Sequence, residues 1–183
     1  MVLIYLADGF EELEALSVVD VLRRADISIQ MVSITGKKDV TSSHGVTITA
    51  DLLFEEADHQ KAQMLVLPGG MPGTLALAAH GALHEQLKQA EKDGRWLAAV
   101  CAAPTVFGSL GILKGKNAVC YPGNEAKLIG ANTAVEGKVV VDGKIVTSRG
   151  PGTSLDFALE LVALLKDRET SASIRKAMIF DNP

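Results

Sequence analysis

The chain is short of the residues on which several chemistries depend. It has only two cysteines, Cys101 and Cys120, too few for a disulfide framework. There is no CxxC pair, no HExxH and no Cys/His cluster, so no metal site and no cofactor are expected. Positive charge is not in excess: 18 Lys and Arg stand against 22 Asp and Glu, a net charge of -4. That balance argues against non-specific nucleic-acid or anionic-membrane binding. No apolar run approaches the roughly 20 residues that span a bilayer. The opening Met-Val-Leu-Ile-Tyr-Leu-Ala-Asp-Gly carries no basic leader and turns too soon for a signal peptide, so a cytoplasmic location with reduced thiols is expected. Repeats, low-complexity segments and linkers are missing too, and residues 1–183 read as a single domain.

What is present is an alternation of continuous apolar strands and amphipathic helices. Residues 2–7 read as a strand, Asp8-Gly9 as its turn, and 11–25 as a helix with acidic residues first and Arg23 and Arg24 last, the order that suits the helix dipole. A strand over 27–34, a hairpin over 40–50 and a helical turn over 53–57 follow. The strand 64–67 runs into Pro68-Gly-Gly-Met-Pro-Gly73, with helical pieces near 75–79 and 83–93. Residues 96–100 form a buried strand ending at Cys101, and the next helix opens at Pro104 and closes near Gly111. Beyond it come a short strand over 119–121, a loop with a helical turn over 122–129, and a hairpin of 135–141 with 145–148. Helices over 155–165 and 171–178 follow. This alternation predicts an α/β sandwich with a mainly parallel sheet, its site at the carboxyl ends of the strands. Three loops lie at such ends: 8–14, 68–73 and 101–104.

Cys101 sits at a strand-to-helix corner among Ala99, Ala102 and Ala103. Free N–H groups at the helix start favour a thiolate there; the competing reading is a small buried core cysteine. Glu14 shares a helix face with Val18, Val21 and Ala25, so it heads a buried stripe. A buried carboxyl has a raised pKa and becomes a hydrogen-bond donor and proton carrier; otherwise it is a first-turn Glu facing solvent, as Glu11 and Glu12 are expected to be. Gly69 and Gly70, together with Ala102 after the cysteine, offer backbone N–H groups for an oxyanion, although turn glycines are common without that role. His59, His80 and His84 read as surface residues, and His44 as one able to face a site. Cys120 reads as structural.

Five pieces in one order resemble the ThiJ/PfpI superfamily, most closely the branch of the parkinsonism-associated protein deglycase and its bacterial relatives: Ala7-Asp-Gly-Phe-Glu-Glu-Leu-Glu14, Val19-Asp-Val-Leu-Arg-Arg-Ala25, Val66-Leu-Pro-Gly-Gly70, Ala99-Val-Cys-Ala-Ala-Pro104 and Thr147-Ser-Arg-Gly-Pro-Gly-Thr-Ser154. The resemblance implies a flavodoxin-like three-layer sandwich, usually a homodimer. It also implies a reactive, oxidisable Cys101, a partner acid at Glu14 and backbone donors near Gly70. Family activities are glutathione-independent glyoxalase, deglycation of methylglyoxal adducts on proteins, redox sensing through cysteine sulfinate, and stress chaperoning. Arg24 matches its family counterpart, whereas His44 stands where relatives place an Arg near the site; both are possible substrate or anion contacts. Tyr121, before Pro122, replaces a His common in the deglycase type and is a poor base near neutral pH. The protease-like branch has a His directly after its nucleophile; Ala102 there argues against a peptidase or amidotransferase-like hydrolase. The expectation is therefore a cysteine-dependent enzyme acting on small reactive carbonyls or glycated protein. The alternative is a non-enzymatic redox sensor or chaperone.

Overall fold

Every residue of Val2–Leu6 is buried, as a strand covered on both faces requires, and this segment forms β1 in the interior of the sheet. The computed structural model describes residues 1–180. After β1 come α1 (Glu12–Arg24), β2 (Ile29–Ser33), β3 (Asp39–Thr41), β4 (Thr47–Thr49) and β5 (Leu52–Leu53). Next are β6 (Met64–Leu67), α2 (Gly73–Ala79), α3 (Gly81–Lys92), β7 (Trp96–Val100) and α4 (Pro104–Ser109). The hairpin β8 (Val139–Asp142) and β9 (Ile145–Ser148) leads to α5 (Ser154–Leu165) and α6 (Arg168–Ala177).

Seven strands form one sheet in the order β5-β2-β1-β6-β7-β9-β8; all neighbours are parallel except β8 with β9. The side-chain alternation of buried strands sorts the core into two layers. Val2, Ile4 and Leu6 pack with α1, α5 and α6 on one face. Leu3 and Tyr5 pack with α2, α3 and α4 on the other. The expected α/β sandwich with a mainly parallel sheet is the architecture found. From β1 the chain moves outward to β2 and β5, then returns to β6 and continues the other way to β7 and β9. The reversal lies between β1 and β6, so the loops leaving β1, β6 and β7 meet at one crevice.

Several local expectations need correction. The first helix begins at Glu12, because Glu11 is extended and its side chain accepts a hydrogen bond from the Glu14 N–H at 2.8 Å, capping the helix. Glu11 is therefore buried rather than solvent-facing. Residues 119–121 do not form a strand: the Val119 amide donates to the Thr147 hydroxyl and the Tyr121 amide to the Cys101 carbonyl, which leaves no ladder. Of residues 135–141 only Val139 onward pairs with β9. His59 is half-buried, its ring nitrogens hydrogen-bonding to Tyr5 Oη and the Phe54 carbonyl. His80 caps α3 by accepting from the Leu83 N–H.

Candidate active site

Three chain segments converge at the crevice, and backbone hydrogen bonds lock them together. The Glu11 N–H donates to the Gly69 carbonyl, and the Gly73 N–H donates to the Gly9 carbonyl. Gly70 has φ +90°, and a Cβ there would lie 2.4 Å from the Glu11 nitrogen, so only glycine fits. Gly69 is required for space rather than for its backbone angle. A Cβ on it would lie 2.6 Å from the Cys101 Cβ, 2.7 Å from Glu14 Oε2 and 3.1 Å from Cys101 Sγ. One missing methyl thus lets the Cys101 thiol and the Glu14 carboxyl meet.

Cys101 caps β7 with φ +64°, a left-handed conformation that costs an ordinary residue roughly 1–2 kcal/mol. It is held from both sides: its N–H donates to the Ser148 carbonyl at 3.1 Å, and its carbonyl accepts from the Tyr121 N–H at 2.7 Å. This strain was not foreseen; the only sequence signal was the set of small residues around the corner. The turn projects the sulfur into a cleft of about 300 Å³ lined by Gly70, Met71, Cys101, Ala102, Tyr121 and Asn124. The residue is nearly buried, with 9% of its surface exposed at the cleft.

Glu14 is fully buried, as the helix phase predicted. Its Oε2 accepts the Gly69 N–H at 2.8 Å. That amide is therefore engaged by the carboxyl, and Gly69 is not a free oxyanion donor. Oε1 is buried without an N–H or O–H donor among the described residues, and the Cys101 thiol is the group in contact with the carboxyl. The N–H groups of Gly70 and Ala102 lie on the sulfur's side of the corner and pull the Cys101 thiol pKa down.

The electrostatics bind the pair into one proton-sharing unit. Burial pushes the Glu14 carboxyl from 4.5 to about 7; the thiol and the Gly69 amide pull it down, and the Glu11 carboxylate pushes it up. Burial, the charge of Glu14 and the hydrogen bond to Glu14 push the Cys101 thiol up to about 12, against the pull of the Gly70 and Ala102 amides. The expected low-pKa thiolate is thus not what an ionised Glu14 permits. The helix after Cys101 has only six residues, which leaves little dipole to help. Two of the three upward causes, however, belong to an ionised Glu14. When the carboxyl keeps the proton they vanish, and Glu14 becomes a donor to the sulfur.

The remaining expected residues divide. Tyr121 lines the cleft and is half exposed. Arg24 does not reach it: ten residues beyond Glu14 on α1, about 15 Å along the axis, it pairs with Asp20 at 2.7 Å. His44 faces Glu11 and Glu12 instead of the cleft, with Nδ1 2.9 Å from Glu12 Oε1. Cys120 is buried with Ala99, Ala103 and Phe107 in the core layer of α2, α3 and α4, whereas Cys101 belongs to the layer of α1. Burial first, then the Glu125 carboxylate, push the Cys120 thiol up to about 11.

The fold has close counterparts. Among solved structures, oxidized DJ-1 of Toxoplasma gondii superposes with a TM-score of 0.94 at 35% identity, covering 98% of each chain. DJ-1 homolog B of Arabidopsis thaliana is 40% identical over 180 residues, which are 98% of this chain but only 41% of the plant protein. A deglycase of Pyrococcus abyssi is 34% identical over 166 residues, 90% of this chain and 99% of its own. Residues 1–164 match the profile of the DJ-1/PfpI family, and with the relatives at this identity and coverage the chain belongs to that family.

Proposed function

We propose that the protein is a cysteine-dependent enzyme acting on small reactive carbonyls, of the glutathione-independent glyoxalase or deglycase type. The observation that carries this reading is the contact between the Cys101 thiol and a buried Glu14 carboxyl at the floor of an open cleft. The name of the archaeal relative supports it. In the proposed cycle the Cys101 sulfur adds to the aldehyde carbon of methylglyoxal, giving a hemithioacetal. Glu14 takes the proton from that carbon and returns it to the neighbouring ketone carbon through an enediol, giving a lactoyl thioester. Water hydrolyses the thioester to lactate and frees the thiol, with no external oxidant or reductant. The Gly70 and Ala102 N–H groups hold negative charge as it develops at the sulfur and the adjoining oxygen. Adducts of methylglyoxal on protein amines and thiols enter the same cycle once the sulfur has taken over the carbonyl carbon. Lactate release from methylglyoxal without added thiol tests the reading: Cys101→Ser and Glu14→Gln should both abolish it, and an unchanged rate in Cys101→Ser would refute it.

A second reading has support in the same two amides. A sulfinate at Cys101 would accept hydrogen bonds from Gly70, Ala102 and a protonated Glu14, which favours a redox-sensing role. Intact mass after mild peroxide should then show two oxygens gained at Cys101 before any change at Cys120. A homodimer is also proposed: Leu13 is 59% exposed on the outer face of α1 and Leu16 is only partly covered. A monomer mass by light scattering at micromolar concentration would refute it. Among the described residues no helix is long and apolar enough to cross a membrane.

A further inference from the structure

A second cluster of chemistry lies on the outer side of the α1 N-terminus, apart from the cleft. The loop between β3 and β4 carries His44, and it is pinned against the start of α1. The Gly9 N–H donates to the Thr41 carbonyl at 2.7 Å, the Ser43 N–H to the Phe10 carbonyl at 2.8 Å, and the Thr41 N–H to Asp8 Oδ1 at 2.9 Å. Pinned in this way, His44 Nδ1 stands 2.9 Å from Glu12 Oε1 and 4.0 Å from Glu11 Oε1. One ligand atom from each of the three residues lies within 4.8 Å of the others.

The carboxylates are not simply a solvated pair. The Glu11 side chain is only 8% exposed. Its Oε2 is used in capping α1, while no hydrogen bond to its Oε1 occurs among the described residues. Glu12 Oε2 is buried and lacks a hydrogen-bond partner among the described residues, although the Ser42 hydroxyl lies beside this carboxylate. Glu12 Oε2 is thus a buried oxygen without a donor, and an unmatched buried oxygen of this kind is costly unless something positive meets it. His44 Nδ1 has one other neighbour, the Ser43 hydroxyl at 3.3 Å.

We propose that Glu11, Glu12 and His44 form a binding site for a divalent transition cation of the zinc class. Each carboxylate gives one oxygen, His44 gives Nδ1, and water takes the fourth position. Tetrahedral ligands about 2.0–2.1 Å from zinc stand roughly 3.3 Å apart, and the observed 2.9 and 4.0 Å bracket that spacing. The donor set of one imidazole and two carboxylates selects against calcium and magnesium, which take oxygen alone and need more of it. The histidine is the deciding ligand. An arginine at this position would pair with Glu12 but would offer no lone pair to a metal.

The test is equilibrium dialysis of the chelator-stripped full chain against Zn²⁺, with Mg²⁺ and Ca²⁺ in parallel. Wild type should bind about one Zn²⁺ per chain saturably, and neither Mg²⁺ nor Ca²⁺ at the same concentration. His44→Ala, and His44→Arg as the variant that keeps the pairing with Glu12, should each weaken binding by at least about tenfold. Glu12→Gln should do the same, while Cys101→Ser should bind like wild type. Thermal melting with and without Zn²⁺ should show an upward shift in wild type and in Cys101→Ser but none in the His44 variants. Absence of saturable binding, binding indifferent to His44→Ala, or binding lost in Cys101→Ser would each overturn the proposal, the last by placing the metal on the thiol.

Discussion

Glu14→Gln offers a direct measure of the buried carboxyl at the centre of the site. The substitution keeps the shape, the acceptor for the Gly69 amide and a donor toward Cys101, but removes the ionisable proton. Burial raises the Glu14 pKa from 4.5 to about 7 in the fold. A folded-state pKa above the unfolded one means that the native state holds the proton more tightly. The stabilisation is therefore complete below pH 4.5 and lost as pH climbs through 7. At ~1.4 kcal/mol per pKa unit, the gap between 4.5 and about 7 amounts to about 3 kcal/mol. Linkage counts protons whatever atom releases them, so the figure holds whether the proton leaves the carboxyl or the neighbouring thiol. Urea unfolding of wild type and Glu14→Gln at pH 4.5 and pH 8 isolates the contribution of this pair, because the titrating groups outside Glu14 and Cys101 are shared and cancel. The variant should gain about 3 kcal/mol on wild type between the two conditions. A change in the difference of less than about 1 kcal/mol would mean that Glu14 titrates like a surface carboxylate and that the proton-sharing pair does not exist.

Other substitutions probe the same corner. Cys101→Gly should be about 1 kcal/mol more stable than Cys101→Ala by thermal or urea unfolding, because glycine accepts φ +64° without strain; the opposite order would refute the strain argument. Gly69→Ala should lower stability by about 1–3 kcal/mol and slow iodoacetamide labelling of Cys101, since its methyl would overlap both the Cys101 Cβ and Glu14 Oε2; normal stability and labelling would show that the contact relaxes freely. Tyr121→His would place a base beside the cleft and should raise lactate formation from methylglyoxal by about tenfold or more; no gain would assign the proton transfers to Glu14 alone.

The sequence pattern disclosed what depends on local periodicity. Buried strands announce themselves as continuous apolar runs, and the stripe Glu14, Val18, Val21, Ala25 gave the helix phase that turns Glu14 inward. Loops at the carboxyl ends of β1, β6 and β7 had to meet once the sheet was parallel. What escaped notice depends on partners distant in the chain. The left-handed angle of Cys101 is enforced by Ser148 and Tyr121, neither of which marks itself as a clamp. Glu11 looked like one more exposed first-turn acid, and only its hydrogen bond to the Glu14 amide draws it inward. Gly69 read as an oxyanion donor because its competitor for that amide, Glu14 Oε2, comes from a segment 55 positions away. Arg24 was carried to the site by motif likeness, and the length of α1 removes it.

The clamp on Cys101 also sets an order of events during synthesis. β1, β2, β6 and β7 all precede the cysteine in the chain, so the parallel centre of the sheet can assemble while later residues are still inside the ribosome. The Ser148 carbonyl that fixes the Cys101 amide lies on β9, and the Tyr121 amide that fixes its carbonyl lies on a segment with no strand of its own. On a nascent chain stalled before Ser148 emerges, the thiol therefore sits on a slack corner, free of the enforced left-handed turn. Its alkylation rate on the ribosome should differ from that of the finished protein and step to the final value only when β9 docks. The thiol thus reaches its native conformation only once β9 has been made, well after the cysteine itself.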